Sequence, residues 1–526
     1  MSADQSKAQP DTTMDGDCPL HSGRIGRWLP WLVIVGLAVG LRVLQLGVFY
    51  TRDEAVVWRW ADQFFAAVWR GDLASTNVGS DYPGVPAYWL QLAFNLVRYP
   101  GWLSMGADQG VWVEGILALP RSLTHLADRR LVMGLATAAQ VLGLYALAAK
   151  AFGRRVGWLA GFLIATDPFL LAESRVLRLE ALAGGFMAGS LLAWLAFGRT
   201  RRARYLALSG ALAGWAILSK TSSLFLLPII APLILVDAWL AEATRWPERL
   251  MTGMRRGLAW LGLALAAFWV SWPALWVAPG PALDVVLTRG LVQTQVKSSW
   301  HGDVFFLGQL WPGDPGPLFY PVVLGFRSTP LMWLGILLTL VTVIVGLVRR
   351  KRLAPGDPSN ACYVPGARAV GVGALLYYCL VILAGCTLII SKVERYLLPM
   401  FPALDILTAL GLVWAAECVA RRLSVAQLAW LRYLPCVLLV GLCLLHLAWV
   451  LPTFPYFYTF WNPLLGGAAA AVATLPVGSG EGLEQAIAPL NQLPNAQELT
   501  LVCGASRGWC EGQFVGITWS DETLGS

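Results

Sequence analysis

Apolar runs of about 20 residues recur along most of this chain, and each is long enough to cross a bilayer. They fall at roughly 29–50, 131–149, 156–172, 181–197, 205–219 and 223–240. Further runs lie near 258–277, 330–348, 369–390, 396–418 and 433–451. The pattern predicts an all-α polytopic membrane protein of about eleven transmembrane helices, a module spanning 29–451. The first run is too long for a signal-peptide core and lacks a small-residue cleavage site, so it reads as a retained anchor. Arg42 interrupts it in its outer half, where a long side chain can snorkel or meet an acid.

Three stretches break the rhythm. Residues 1–28 are polar and read as a disordered cytoplasmic tail. Residues 51–130 are mixed in polarity and rich in aromatics; Trp58, Trp60 and Trp69 suggest helices lying along the interface. Residues 278–329 form a second long loop. Loops of this length are usually functional. The segment 452–526 contains "LPVGSGEGLEQAIAPLNQ" and then "ELTLVCG", which reads as strand, helix, strand. That is too little for an independent α/β domain, and it reads as an incomplete one.

Composition agrees with the membrane reading. The chain is 57% hydrophobic and only 13% charged, against about 25% charged in soluble domains. Its 26 tryptophans suit the membrane–water boundary. A β-barrel would instead show short alternating segments. The net charge of +8 does not mark a nucleic-acid binder, because the basic residues gather in short segments between apolar runs. These are Arg154-Arg155, Arg199 to Arg204, Arg255-Arg256, Arg349 to Arg352 and Arg421-Arg422. They alternate with more acidic loops, the positive-inside pattern. The N-terminus is then inside, while both long loops and the C-terminal segment are outside. The nine cysteines and four histidines show no metal-ligand spacing. Cys503 and Cys510 could pair as a disulfide if the tail lies outside the cell.

The informative residues are ionisable groups beside spans, since burying them is costly unless they are partnered or hydrated. Asp53 and Glu54 follow the first span in "YTRDEAVVW". Arg175, Arg178 and Glu180 occupy the turn "ESRVLRLEAL", and Lys220 ends the fifth span in "ILSKTSSLFLLP". Arg327 closes the second loop in "LGFRSTP"; Lys392, Glu394 and Arg395 form "SKVERYLLP". Singly, each reads as an interfacial anchor or a solvated acid. Together, five segments bring charge to the outer face. Such a face can bind a lipid phosphate through Arg and Lys and use a carboxylate as general base on an acceptor hydroxyl.

These same segments resemble the family-39 glycosyltransferases, which include the protein O-mannosyltransferases and are related to the bacterial aminoarabinose transferases, within the membrane-embedded GT-C superfamily. The resemblance rests on "LRVLQLGVFYTRDEA", "DYPGVPAYWLQ", "ATDPFLLAESRVLRLEALAG", "ILSKTSSLFLLP" and "SKVERYLLPMFPALDILTALGL". Two further segments, "DPGPLFYPVVLGFRSTP" and "WNPLLGG", extend it, so that it covers about residues 40–490. It implies a glycosyltransferase that moves a sugar from a polyprenyl-phosphate donor, with inversion, at the extracytoplasmic face of the plasma membrane. By position it implies Asp53 as catalytic base, with Glu54 beside it and Glu180 as a second acid. Arg175, Arg178, Lys220, Arg327, Lys392 and Arg395 become candidates for gripping the donor phosphate, and Tyr82 for touching substrate. A divalent metal ion beside Asp53 and Glu54 is possible.

Two departures leave the acceptor open among protein, lipid and glycan: no inserted sugar-binding-like domain lies between the spans, and no complete soluble domain follows them. Two rival readings are a membrane transporter and a non-catalytic lipid-binding protein of the same fold. Transporters carry their charges at mid-membrane, often with internal repeats, whereas these charges lie at span ends.

Overall fold

The computed structural model describes residues 24–51, 53–79, 82–103, 109–119, 121–240, 245–290, 303–350, 366–424, 433–503, 510 and 513–520. Most of the tail at 1–28 lies outside these. The protein is mostly helical, and a helix lies at each of the eleven expected spans. Six are long and apolar enough to cross a membrane: Leu123–Phe152, Glu180–Thr200, Thr221–Trp239, Ala369–Leu388, Glu394–Ala420 and Leu434–Thr453. Two bent pairs would raise the number to eight, Arg154–Thr166 with Pro168–Ser174 and Phe319–Arg327 with Pro330–Gly346. The remaining three fall short of that standard among the described residues. The first apolar stretch is only Trp28–Val43, Ala203–Ser219 has 17 residues, and Trp246–Ser271 opens on charged residues.

The bends have local causes. Pro168 cannot donate to the preceding turn, and the Asp167 carboxylate accepts from the Leu170 amide at 2.8 Å, capping a new helix. The two pieces meet at 58°. The chain then turns through residues 175–179 and re-enters a helix at Glu180. The second bend, of 111°, falls where Ser328 is extended, two residues ahead of Pro330, which opens the next helix.

Lipid tails give helices no hydrophobic reason to associate, so close backbone approach and interhelical hydrogen bonds hold them. Ser190 and Ser209 donate to each other's carbonyls, both at 2.8 Å, and Trp260 Nε1 donates to the Ser209 hydroxyl at 3.0 Å. This clasps three helices. A Cβ on Gly214 would lie 2.3 Å from the Ala264 carbonyl, and one on Gly411 would lie 2.1 Å from that of Gly335. Only glycine fits either contact.

Arg42 does not snorkel to the surface. Its buried guanidinium donates to the carbonyls of Ala165 (3.0 Å) and Ile164 (3.2 Å), tying the first helix to the last turn of Arg154–Thr166. Carbonyls at a helix end are open acceptors, and a buried arginine satisfies them.

The long loop 51–130 contains the helices Glu54–Trp69, Val85–Arg98 and Gln109–Leu117. Trp58, Phe64, Phe65 and Tyr88 share a buried cluster with Trp272, Leu275 and Val285, so the segments that follow two different spans pack as one body. The Asn77 amide donates to the Pro281 carbonyl at 3.2 Å, and Arg129 closes on Asp62 at 2.6 Å. The second loop holds an antiparallel hairpin, Val304–Phe306 against Gln309–Trp311. In the C-terminal segment the order differs from the expectation. A five-residue helix, Leu483–Ile487, precedes two parallel strands, Thr500–Cys503 and Ile517–Ser520; the described residues before that helix form no strand. The Cys503–Cys510 disulfide is formed.

Candidate functional site

Asp53 is the N-cap residue of Glu54–Trp69, but its side chain makes no capping bond. The carboxylate faces two guanidiniums instead. Arg395 Nη2 lies 2.9 Å from Asp53 Oδ2, and Arg178 Nη2 lies 3.5 Å from the same oxygen. Asp53 keeps 35% of its side chain exposed, the largest exposure among the acids of this cluster. Neighbouring Glu54 is wholly different, being fully buried. Arg130 grips it bidentately at 2.7 and 2.5 Å. The Leu177 amide donates to it at 2.7 Å, and Thr51 donates through both amide (3.0 Å) and hydroxyl (2.9 Å). Burial alone would raise the Glu54 carboxyl, but Arg130 and these donors hold it below the usual carboxylate range. Glu54 thus pins the turn 175–179 against the start of the first loop and sets where Asp53 stands.

Each arginine on Asp53 has its own anchoring acid. Arg395 Nε donates to Glu180 Oε1 at 2.9 Å, and Lys220 Nζ donates to that oxygen at 2.7 Å. Arg178 Nη1 bonds both oxygens of buried Glu173, at 3.2 and 3.4 Å, and the Tyr458 hydroxyl at 3.1 Å. Glu180 is the first residue of its helix, where the helix dipole favours a negative charge. Three carboxylates and three cations therefore interlock: Asp53, Glu173 and Glu180 with Arg178, Lys220 and Arg395. The Lys220 ammonium also sits 4.5 Å from the Tyr396 ring centre and 5.8 Å from that of Tyr82, within cation–π range. Burial and the nearby Glu180 and Asp53 push the Tyr82 hydroxyl well above its usual range, so it stays a neutral donor.

The sequence candidates thus divide. Asp53, Arg178, Glu180, Lys220, Arg395 and Tyr82 come together. Arg175 does not: it donates to the carbonyls of Leu41, Leu44 and Gln45 and stacks near Phe454 and Phe457, closing the end of the first helix. Arg327 is locked to Glu394 by two 2.9 Å bonds and donates to the carbonyls of Tyr458 and Phe460. Lys392 donates to carbonyls of Cys386, Thr387 and Ile389, with Asp314 3.7 Å away. Both brace this region from behind.

Glu173, Arg130 and Tyr458 were not anticipated. An acid inside the apolar run ending at Glu173, and paired arginines at the mouth of a span, were signals available in the sequence. The donor set does not suit a divalent ion. Both oxygens of Glu54 are taken by five donors, and Asp53 faces two guanidiniums whose charge a cation would oppose. The described residues hold no group of three or more His, Cys, Asp or Glu able to bind a metal.

With the geometry in place, comparison with known proteins adds a partial likeness. Residues 123–276 match the model of the dolichyl-phosphate-mannose-protein mannosyltransferases. No curated protein sequence matches the chain. Among solved structures, ArnT from Cupriavidus metallidurans, bound to undecaprenyl phosphate, aligns at 17% identity and a TM-score of 0.46. That alignment covers 95% of this chain and 86% of that one. The Archaeoglobus fulgidus oligosaccharyltransferase aligns at 13% identity and a TM-score of 0.49, over 94% of this chain and 64% of that one. The matched segment carries Glu173, Arg178, Glu180 and Lys220, and over that stretch the chain is similar to the dolichyl-phosphate-mannose-protein mannosyltransferases.

Proposed function

We propose that this protein transfers a sugar from a polyprenyl-phosphate donor to an acceptor hydroxyl by single displacement at the extracytoplasmic face of the plasma membrane. The observation that carries the reading is the convergence of Arg178 and Arg395 on Asp53 Oδ2, with Lys220 joined through Glu180. The acceptor oxygen attacks the anomeric carbon as its proton passes to Asp53. The bond from that carbon to the phosphate oxygen breaks, and the phosphate departs with the electron pair. Attack opposite the leaving group inverts the anomeric centre. The leaving group is already anionic, so it needs cations more than a proton, and Arg178, Arg395 and Lys220 supply them where charge develops. Tyr82, a neutral phenol beside Lys220, donates to a sugar or phosphate oxygen.

The ArnT structure above contains undecaprenyl phosphate, and a dolichol-phosphate occupies an archaeal oligosaccharyltransferase of similar fold; either lipid is a reasonable first probe here. The test is stereochemical and mutational. The product formed from a donor of known anomeric configuration is examined by NMR, for the native protein and Asp53→Asn. Inverted product from the native protein, with donor binding retained and turnover lost in Asp53→Asn, is expected. Retained configuration, or normal turnover by Asp53→Asn, contradicts the mechanism.

A further inference from the structure

Glu173 is a buried acid that the proposed chemistry does not use. It lies in Pro168–Ser174, the short helix after the 58° bend, with a side chain only 1% exposed. A carboxylate there is costly unless it is paired. Its partner is Arg178, five residues on, held by both oxygens while the Tyr458 hydroxyl takes the same Nη1. Tyr458 comes from the segment after the last span, and its ring lies 5.9 Å from the guanidinium carbon. The guanidinium is therefore fixed from behind. Its Nη2 is turned to Asp53, and its Nε is buried with no hydrogen-bond partner among the described residues. A buried guanidinium N–H without an acceptor is rare, and here it lies on an arginine already directed at the proposed donor site.

We infer that Glu173, together with Tyr458, is the positioning residue that holds Arg178 back at 3.5 Å from Asp53, free to turn to the donor phosphate, rather than letting it close to direct hydrogen-bonding distance. This rests on the reading of the cluster as the donor site. Without the Glu173 charge, the nearest anion left for Arg178 is Asp53, the base. Donor binding would survive, since Arg395 and Lys220 remain and the site gains one net positive charge. The proton transfer would suffer, because Arg178 would close from 3.5 Å to a contact as short as the 2.9 Å one of Arg395 and stabilise the base in its ionised form. Mispositioning of this kind costs about tenfold to a hundredfold in rate. The expected signature is a fall in kcat without a rise in the donor KM.

The experiment compares native protein, Glu173→Gln, Glu173→Asp and Tyr458→Phe in lipid nanodiscs. Steady-state turnover of a polyprenyl-phosphate sugar and direct binding of undecaprenyl phosphate are both measured. Glu173→Gln is expected to lose about tenfold or more in kcat while binding undecaprenyl phosphate at least as tightly as the native protein. Glu173→Asp recovers part of the loss, and Tyr458→Phe loses less than Glu173→Gln. Unchanged kcat in Glu173→Gln overturns the inference. So does a parallel loss of kcat and lipid binding that tracks the amount of folded protein, which is what a purely structural role gives. A native protein that neither binds undecaprenyl phosphate nor turns over the donor would instead defeat the donor-site reading, and this inference with it.

Discussion

Replacing Glu54 by Gln tests the buried knot beneath the site. The change keeps the side chain's size and removes its charge, leaving the Arg130 guanidinium, 1% exposed, without a counter-charge. Breaking a buried pair from one side costs about 3–5 kcal/mol. The three donors from Leu177 and Thr51 add to the loss, since a bond to a charged acceptor contributes about 1.5–3 kcal/mol. A Gln carbonyl still accepts from some of them, so we expect a net loss of about 4 kcal/mol, close to three decades in the unfolding equilibrium. The assay is SDS-driven unfolding in mixed micelles followed by tryptophan fluorescence.

The same variant carries a pH signature. Glu54 has a depressed folded-state pKa, so its contribution is complete above the ordinary carboxylate value of about 4.3 and is lost as pH falls below it. Glu54→Gln should therefore be destabilised at pH 7, and its stability should change less than the native protein's as pH falls through that window. A second variant, Glu54→Gln with Arg130→Met, should regain part of the loss by removing the orphaned charge. A loss below about 1 kcal/mol for Glu54→Gln would refute the reasoning, since it would make the buried pair no stronger than a surface one.

Three further outcomes follow from the geometry. Lys220→Met removes one charge-assisted donor from the proposed phosphate site, so the Kd for undecaprenyl phosphate measured in nanodiscs should rise by about tenfold to a hundredfold. Arg175→Met should lower stability in the SDS assay and leave that Kd unchanged, because Arg175 serves the carbonyls at the end of the first helix. Gly214→Val places a Cβ 2.3 Å from the Ala264 carbonyl and should destabilise the protein by about 1–3 kcal/mol, read from the same unfolding curve.

Which parts of this were legible in the sequence follows from what a linear pattern encodes. The mostly helical, membrane-type architecture was legible because the length and apolar character of its helices answer to one requirement, satisfying the backbone in hydrocarbon. The bend at Asp167-Pro168 lies inside one apolar run, whose hydropathy does not mark it, although the Asp-Pro step signals a restart. The candidate residues stand out in the sequence as charges at span ends, but their partners do not. Arg175 and Arg178 look alike in "ESRVLRLE", yet the turn sends one to the carbonyls of Leu41 and Leu44 and the other to Asp53. Glu54 sits next to Asp53 and resembles a second catalytic acid; only its distance from Arg130, 76 residues away, shows that it is a pin. Side-chain direction at a turn is set by tertiary packing, which spacing does not carry.

The central claim is that Asp53 takes the acceptor's proton while the facing cations hold the departing lipid phosphate. The most direct measurement is release of undecaprenyl phosphate from an undecaprenyl-phosphate sugar by the purified protein in lipid, with and without a panel of hydroxyl acceptors. Asp53→Asn is measured alongside. Acceptor-dependent release by the native protein, abolished in Asp53→Asn while that variant still binds the donor, is the predicted result. Release at the native rate by Asp53→Asn, or no release from any donor and acceptor pair, would contradict it.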